Sequence, residues 1–241
     1  MKAQERHHLK QNEFAATVAR VSDSVRENRS RLVIGVLVVA VLLTAVGGYF
    51  WWRGRTQNEA GALLAAAMVI TQSPIAPAPT LPGATQTPGT FTTVKERQEA
   101  ALVAFEKVAA AYPASPDGLA AAYQMAASLY ALGRLPDAEK AYADVIQRAG
   151  GTSLYGMSSR MGLAQTLAAQ GQYDRAIKEY TDLAGLRDGL LPIDGVLVEL
   201  ARTYVKAGKR TDARATFKRV VDEFPTSGFV TEARQQIALL G

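Results

Sequence analysis

Residues 133–145 read GRLPDAEKAYADV, residues 171–183 read GQYDRAIKEYTDL, and residues 208–220 read GKRTDARATFKRV. Each copy starts on a glycine (Gly133, Gly171, Gly208) and reaches a small residue five positions later (Ala138, Ala176, Ala213). Four residues beyond comes an aromatic (Tyr142, Tyr180, Phe217), and three beyond that an aliphatic (Val145, Leu183, Val220). A fourth copy without the glycine is Ala101, Phe105 and Val108, so the alanines are spaced by 37, 38 and 37 residues. The alanine lets two antiparallel helices cross closely, and the aromatic and aliphatic fill the groove beside the crossing. Glycine takes the left-handed conformation that a tight turn requires. Pro113 and Pro225, with Gly150 in the equivalent place, stop the second helix of their units. A hairpin of this kind cannot bury its apolar faces alone, so neighbouring units must stack.

These segments resemble tetratricopeptide repeats. Leu163-Ala164, Leu200-Ala201 and Met125-Ala126 stand where that family has its Leu-Gly pair, and Leu129, Leu167 and Tyr204 take its helix-A aromatic position. The resemblance implies an all-α fold, with repeats at 119–150, 157–187 and 193–225 and a capping helix over 227–240 that carries Phe229, Ala233 and Ile237. The first repeat is split. Its helix A is 58–72, its helix B is 97–112, and the Pro/Thr-rich stretch 73–93 replaces the usual turn. That stretch holds five of the ten prolines and reads as a flexible excursion, an insertion that could also serve as a docking ligand or a glycosylated segment. The units depart from the family in lacking tryptophan and in exceeding its usual length of about 34 residues.

Upstream, residues 32–52 read LVIGVLVVAVLLTAVGGYFWW, without a charge. As a helix this segment spans roughly 31 Å, the thickness of bilayer hydrocarbon, and it reads as a transmembrane helix. The 31 residues before it and the 21-residue run itself are too long for a cleaved signal peptide. Seven Lys/Arg precede the run and two follow it, which places the N-terminus in the cytoplasm and the C-terminal domain outside. The chain thus divides into a head (1–31), a transmembrane helix (32–52) and an extracytoplasmic repeat domain (53–241). In the head, Phe14, Val18, Val21 and Val25 form a helical stripe, either resting on the membrane surface or docking a cytoplasmic partner. Ala40, Thr44 and Gly48 place small residues at intervals of four, a spacing that permits pairing of membrane helices and hence a homo-oligomer.

The net charge of +5 lies entirely in residues 1–55; the 18 bases and 18 acids that follow cancel. Binding to nucleic acid therefore has no electrostatic footprint in the repeat domain. There is no cysteine, and both histidines, His7 and His8, lie in the head, so a Ser-His-Asp triad in the repeats is excluded. No phosphate-binding loop or metalloprotease motif occurs. The expectation is a non-enzyme with no cofactor and no metal.

In the resembled family, helix-A side chains face a concave groove. By alignment these are Tyr123, Ala127, Tyr130 and Ala131 in the second repeat, Met161, Gln165, Ala168 and Ala169 in the third, and Val198, Arg202, Val205 and Lys206 in the fourth. Such a groove would be aromatic at one end and basic at the other, suited to a peptide or helix with an apolar anchor and an acidic end. Tyr123 and Tyr130 could instead be interior packing. Topology and repeat type together are similar to the ancillary subunit of the bacterial Sec translocon. The turns at 112–116 and 224–227 resemble those of Tol-Pal-associated and outer-membrane-assembly repeat proteins. These resemblances imply a scaffold for protein partners at the periplasmic face of the inner membrane, or an accessory subunit recruited through its membrane helix.

Overall fold

The computed structural model describes residues 29–78, 85–186 and 190–241; the amphipathic stripe expected in the head lies outside them. Among the described residues the elements are α1 (Arg29–Gln72), α2 (Val94–Ala111), α3 (Pro116–Ala131), α4 (Leu135–Ala149) and α5 (Leu154–Ala169), then α6 (Tyr173–Ala184), α7 (Ile193–Lys206), α8 (Arg210–Glu223) and α9 (Val230–Leu240). The chain forms two compact units, residues 1–55 and 56–241.

In the first unit, the large apolar side chains from Val33 to Trp52 whose exposure is described face outward on all sides of the helix. Thr44 turns its hydroxyl back to the Ala40 carbonyl (2.8 Å), which removes its need for an outside partner. At the polar end, Arg53 donates to the Tyr49 hydroxyl (3.3 Å) and the Arg55 guanidinium lies 5.9 Å from the Trp51 ring centroid. Among the described residues, this is the one helix long and apolar enough to cross a membrane.

In the second unit each helix from α2 to α9 packs on the next, and α3, α5 and α7 also touch in sequence. That pattern is a stack of hairpins with α3, α5 and α7 as the first helix of each. The repeat signature occupies the centre of every hairpin. Ala101, Ala138, Ala176 and Ala213 are all 0% exposed, and Phe105, Tyr142, Tyr180 and Phe217 are buried beside them. Each buried ring contributes on the order of 2 kcal/mol through removal of apolar surface from water. The end of α1 supplies the first hairpin: Ala67, flanked by Leu64 and Met68, shares a cluster with Phe105 and Val108 of α2 and with Val145 of α4.

The turns follow from the glycines. Gly133, Gly171 and Gly208 have φ of 73°, 76° and 74°. The following N–H in each case reaches back five residues: Arg134 to Leu129, Gln172 to Leu167 and Lys209 to Tyr204, each at 2.9 Å. This double-bonded close satisfies the last carbonyls of each first helix.

The second and third repeats and the capping helix do not start at the expected bounds. Helices α3 and α5 start three residues before the repeat bounds 119 and 157, because Ser115 and Ser153 cap them. Each serine accepts from a glycine N–H three residues on, Gly118 at 2.9 Å and Gly156 at 3.1 Å. The preceding chain passes so close that a Cβ on Gly118 would lie 2.7 Å from the Tyr112 carbonyl carbon, and one on Gly156 2.9 Å from that of Gly150. Ser227, by contrast, does not cap α9; its hydroxyl donates to Asp194 (2.6 Å).

The Pro/Thr-rich stretch is also more ordered at its base than a free excursion. Ile75 and Phe91 form a parallel bridge, with Ala76 N donating to Phe91 O (2.9 Å) and Phe91 N to Pro74 O (3.1 Å). Arg97 donates to Ser73 O (2.9 Å), and Gln86 to Thr90 (2.7 Å). Proline composition alone does not reveal these bonds, because every donor is a non-proline residue and proline still offers its carbonyl as acceptor. Thr93 caps α2 through Glu96 N, and the Glu96 carboxylate returns to Thr92 N and Oγ1.

Candidate protein-binding groove

The contacts among α3, α5 and α7 align equivalent positions of successive repeats on one side of the stack, so the expected lining residues can be placed one by one. Tyr123 is half-buried. Its ring leans on Tyr142 (centroids 6.2 Å apart) and on Tyr155 (6.0 Å). Burial, with the neighbouring Tyr155, raises its hydroxyl pKa above the usual value. Tyr123 therefore serves both readings, as part of the packing between hairpins and as a partly accessible ring. Tyr130, about two turns further on at the close of α3, is 36% exposed. It is the more open of the two, and its neighbours include Tyr142 and Tyr180, whose hydroxyl pKa values are pushed up mainly by burial.

Met161 is partly buried against the cluster built from α5, α6 and α7. Gln165 is half-buried, Ala168 is buried, and Ala131 and Ala169 are exposed. These small and flexible side chains leave the middle of the face low. In the fourth repeat the picture changes. Val198 is 1% exposed and packs with Leu197, Ala201, Phe217, Val220 and Ala233, so it belongs to the core and not to a lining. The reason is α9: its Ala233 closes over the position that Met161 and Tyr123 leave partly open.

Arg202 is also not a free cation. It makes a forked contact to Glu232 of α9 (2.8 and 2.6 Å) and a third bond to Glu199 (2.6 Å). Its pKa is raised, first by the hydrogen bond to Glu232. Val205 (39% exposed) and Lys206 remain open at the end of α7. The basic end of the face is thus Lys206, while Arg202 ties α7 to α9.

One residue that the repeat alignment did not single out is Gly162. A Cβ there would fall 2.5 Å from Tyr142 Cε1 and 2.7 Å from its hydroxyl. The other repeats carry Gln124 and Glu199 at this position. A glycine inside an otherwise well-formed helix was the available signal. Ser159 is a second: it is fully buried, and its hydroxyl has no partner among the described residues.

Known proteins agree with this architecture. Residues 25–185 match a family described as tetratricopeptide repeat-like domain, and residues 196–227 match the tetratricopeptide repeat itself. No curated protein matches. Among solved structures, the putative kinesin light chain repeats of Podosopora anserina superimpose with a TM-score of 0.58 at 16% identity, covering 76% of this chain and 86% of that one. A tetratricopeptide repeat protein from Parabacteroides merdae gives 0.50 at 16% identity, over 61% of this chain and 53% of that one. With two thirds of its length matched by the family and the repeat signature buried in every hairpin, the chain belongs to the tetratricopeptide repeat-like domain family.

Proposed function

We propose that this chain is a non-enzymatic scaffold, held at the inner membrane by residues 32–52, that binds protein partners on the α3–α5–α7 face in the periplasm. The observation that carries the reading is the run of partly open side chains on successive first helices, Tyr130, Gln165, Val205 and Lys206, above a buried repeat core. An aromatic ring, aliphatic surface and one cation at the far end suit a peptide or helix with an apolar anchor. The membrane part of the proposal is supported by the exposed apolar surface from Val33 to Trp52 and by the Lys/Arg excess before it. Roles in export or envelope assembly, as in the Sec, Tol-Pal and outer-membrane-assembly systems, are consistent with that placement.

The test is site-specific photocrosslinking in cells with the full-length chain. A photoreactive residue at Ala131 or Gln165 should give discrete protein adducts, and one at the exposed second-helix residue Lys140 should not. Equal adducts from all three positions would remove the groove from the account. A second reading, favoured by the outward apolar surface of the first unit, makes residues 32–52 the recruiting element. Replacing them with a poly-Leu span would then abolish the adducts, whereas the groove reading predicts that they persist.

A further inference from the structure

We propose that the C-terminal end of the repeat stack, around Lys206, Arg210 and Arg214, docks an acidic and aliphatic segment of a protein partner. This rests on the protein-binding reading above and adds the chemistry and place of one contact.

The first observation is how charge is divided within the balanced domain. Residues 56–199 carry ten bases against fourteen acids, a net −4, and residues 200–241 carry eight bases against four acids, a net +4. The domain is neutral as a whole and strongly dipolar along its length. The second observation is which cations are already satisfied. On α8, Lys218 pairs with Asp222 (2.5 Å) and Arg219 with Glu223 (2.7 Å), so the far end of the helix is neutralised internally. Lys209 pairs with Asp174 (2.7 Å). Lys206, Arg210 and Arg214 are exposed and, among the described residues, have no ion pair.

Folding accounts for part of this arrangement. Helix α9 has no base in its own last turn, and Arg210 donates to its Leu239 carbonyl (3.0 Å). Lys206 sits favourably at the C-terminal end of α7. Arg210 and Arg214, however, lie in the first turns of α8, where the helix dipole disfavours positive charge, with Asp212 as the one acid in the first turn. Arg210 also has four further N–H donors beyond the one it gives to Leu239. Beside these groups stand two apolar side chains left open, Val205 and Leu239, the latter 65% exposed. Cations disfavoured by their own helix and set among exposed aliphatics suit a short segment that alternates carboxylates with aliphatic residues. A long polyanion is a poorer fit. Screening confines the attraction to about 8 Å at physiological salt, and beyond that reach the −4 portion of the domain repels an extended phosphate lattice.

The test uses the full-length chain in phosphatidylcholine nanodiscs and a fluorescein-labelled peptide alternating Glu and Leu, read by anisotropy. Binding should weaken about tenfold when salt rises from about 50 to about 300 mM, and the Lys counterpart of the peptide should not bind. The double variant K206E/R214E should weaken binding at least about tenfold. K107E/K140E, which reverses two exposed bases in the first two repeats, should leave it unchanged, and circular dichroism should show both variants folded. Equal losses in the two variants, or no binding of the Glu-Leu peptide, would overturn the proposal. So would tighter binding of a single-stranded oligonucleotide or phosphatidylglycerol vesicles. Salt-sensitive self-association lost in K206E/R214E would make a second copy of this chain the occupant and the proposal wrong. If the Ala131 photo-adducts persist where peptide binding fails, the groove reading stands and this inference alone falls.

Discussion

Replacing Gly162 with alanine sets two well-known effects against each other, and the structure decides the sign. On helix propensity alone, Gly→Ala inside α5 would stabilise by about 1 kcal/mol. The new methyl would instead lie 2.5 Å from Tyr142 Cε1 and 2.7 Å from the hydroxyl, more than 0.5 Å inside ordinary contact. Tyr142 cannot easily yield: it is 4% exposed and packed among Leu102, Ala126, Leu129 and Ala138. Overpacking of this kind costs about 1–3 kcal/mol. Offset by the propensity gain, the net effect is a loss of about 1 kcal/mol or more. Gly195 is the control, since the nearest atom to its Cβ would be Phe229 Cε2 at 3.8 Å; there the exchange should be neutral or stabilising by up to about 1 kcal/mol. Urea unfolding of the full-length chain in mild detergent, followed by far-UV circular dichroism, gives both midpoints. A lower midpoint for G162A and an equal or higher one for G195A is expected. In a Y142L background the G162A penalty should largely vanish, a coupling of about 1–2 kcal/mol. If G162A unfolds at the wild-type midpoint or above it, Tyr142 does not lock the second repeat to the third, and the reasoning is refuted.

Buried groups and caps elsewhere in the stack respond to single substitutions in the same way. Ser159→Ala removes a buried hydroxyl that has no partner among the described residues and should raise the midpoint, by up to about 1 kcal/mol of stability; a clear loss would show that the hydroxyl is bonded in solution. Gly118→Ala drives a methyl into the Tyr112 carbonyl and should cost at least about 2 kcal/mol, visible as a lower thermal transition, whereas restoring glycine at the cost of Ser115 (S115A) should lose only about 1 kcal/mol for the cap. Glu96 is held below the usual carboxylate range, first by the Thr92 hydroxyl, so its contribution to α2 is present above the unfolded pKa and is lost as pH falls through the folded one. Amide exchange at the start of α2 should therefore quicken below about pH 4 relative to the rest of the stack, and E96Q should remove that pH dependence.

The fold was legible because its determinants are local and repeat. Alanine, aromatic and aliphatic recur at fixed intervals, and all twelve of those side chains are buried where the hairpins meet. The left-handed turns were equally plain, since only glycine fits Gly133, Gly171 and Gly208 without strain. The candidate face was less legible, because repeat alignment treats every unit as if it had the same neighbours. Val198 occupies the same repeat position as Met161, yet α9 buries it; Arg202 matches Gln165, yet Glu232 claims it. Both differences come from α9, which packs on α8 after the fourth repeat and brings Ala233 and Glu232 against α7. The Tyr142–Gly162 contact was hidden for the opposite reason: it depends on one side chain reaching across a repeat boundary, and pattern matching reads within boundaries.

The bridge between Ile75 and Phe91 has a consequence for how this chain could be altered. It brings the two stems of the Pro/Thr-rich stretch side by side, so residues inserted between them would form a side branch. Added length in such a branch costs little, about 0.6 kcal/mol for each doubling. A reporter domain whose own termini lie close together could be spliced there while the hairpin made by α1 and α2 stays shut. The stems act as a hinge-pin, and the stack beneath them need not register what they carry.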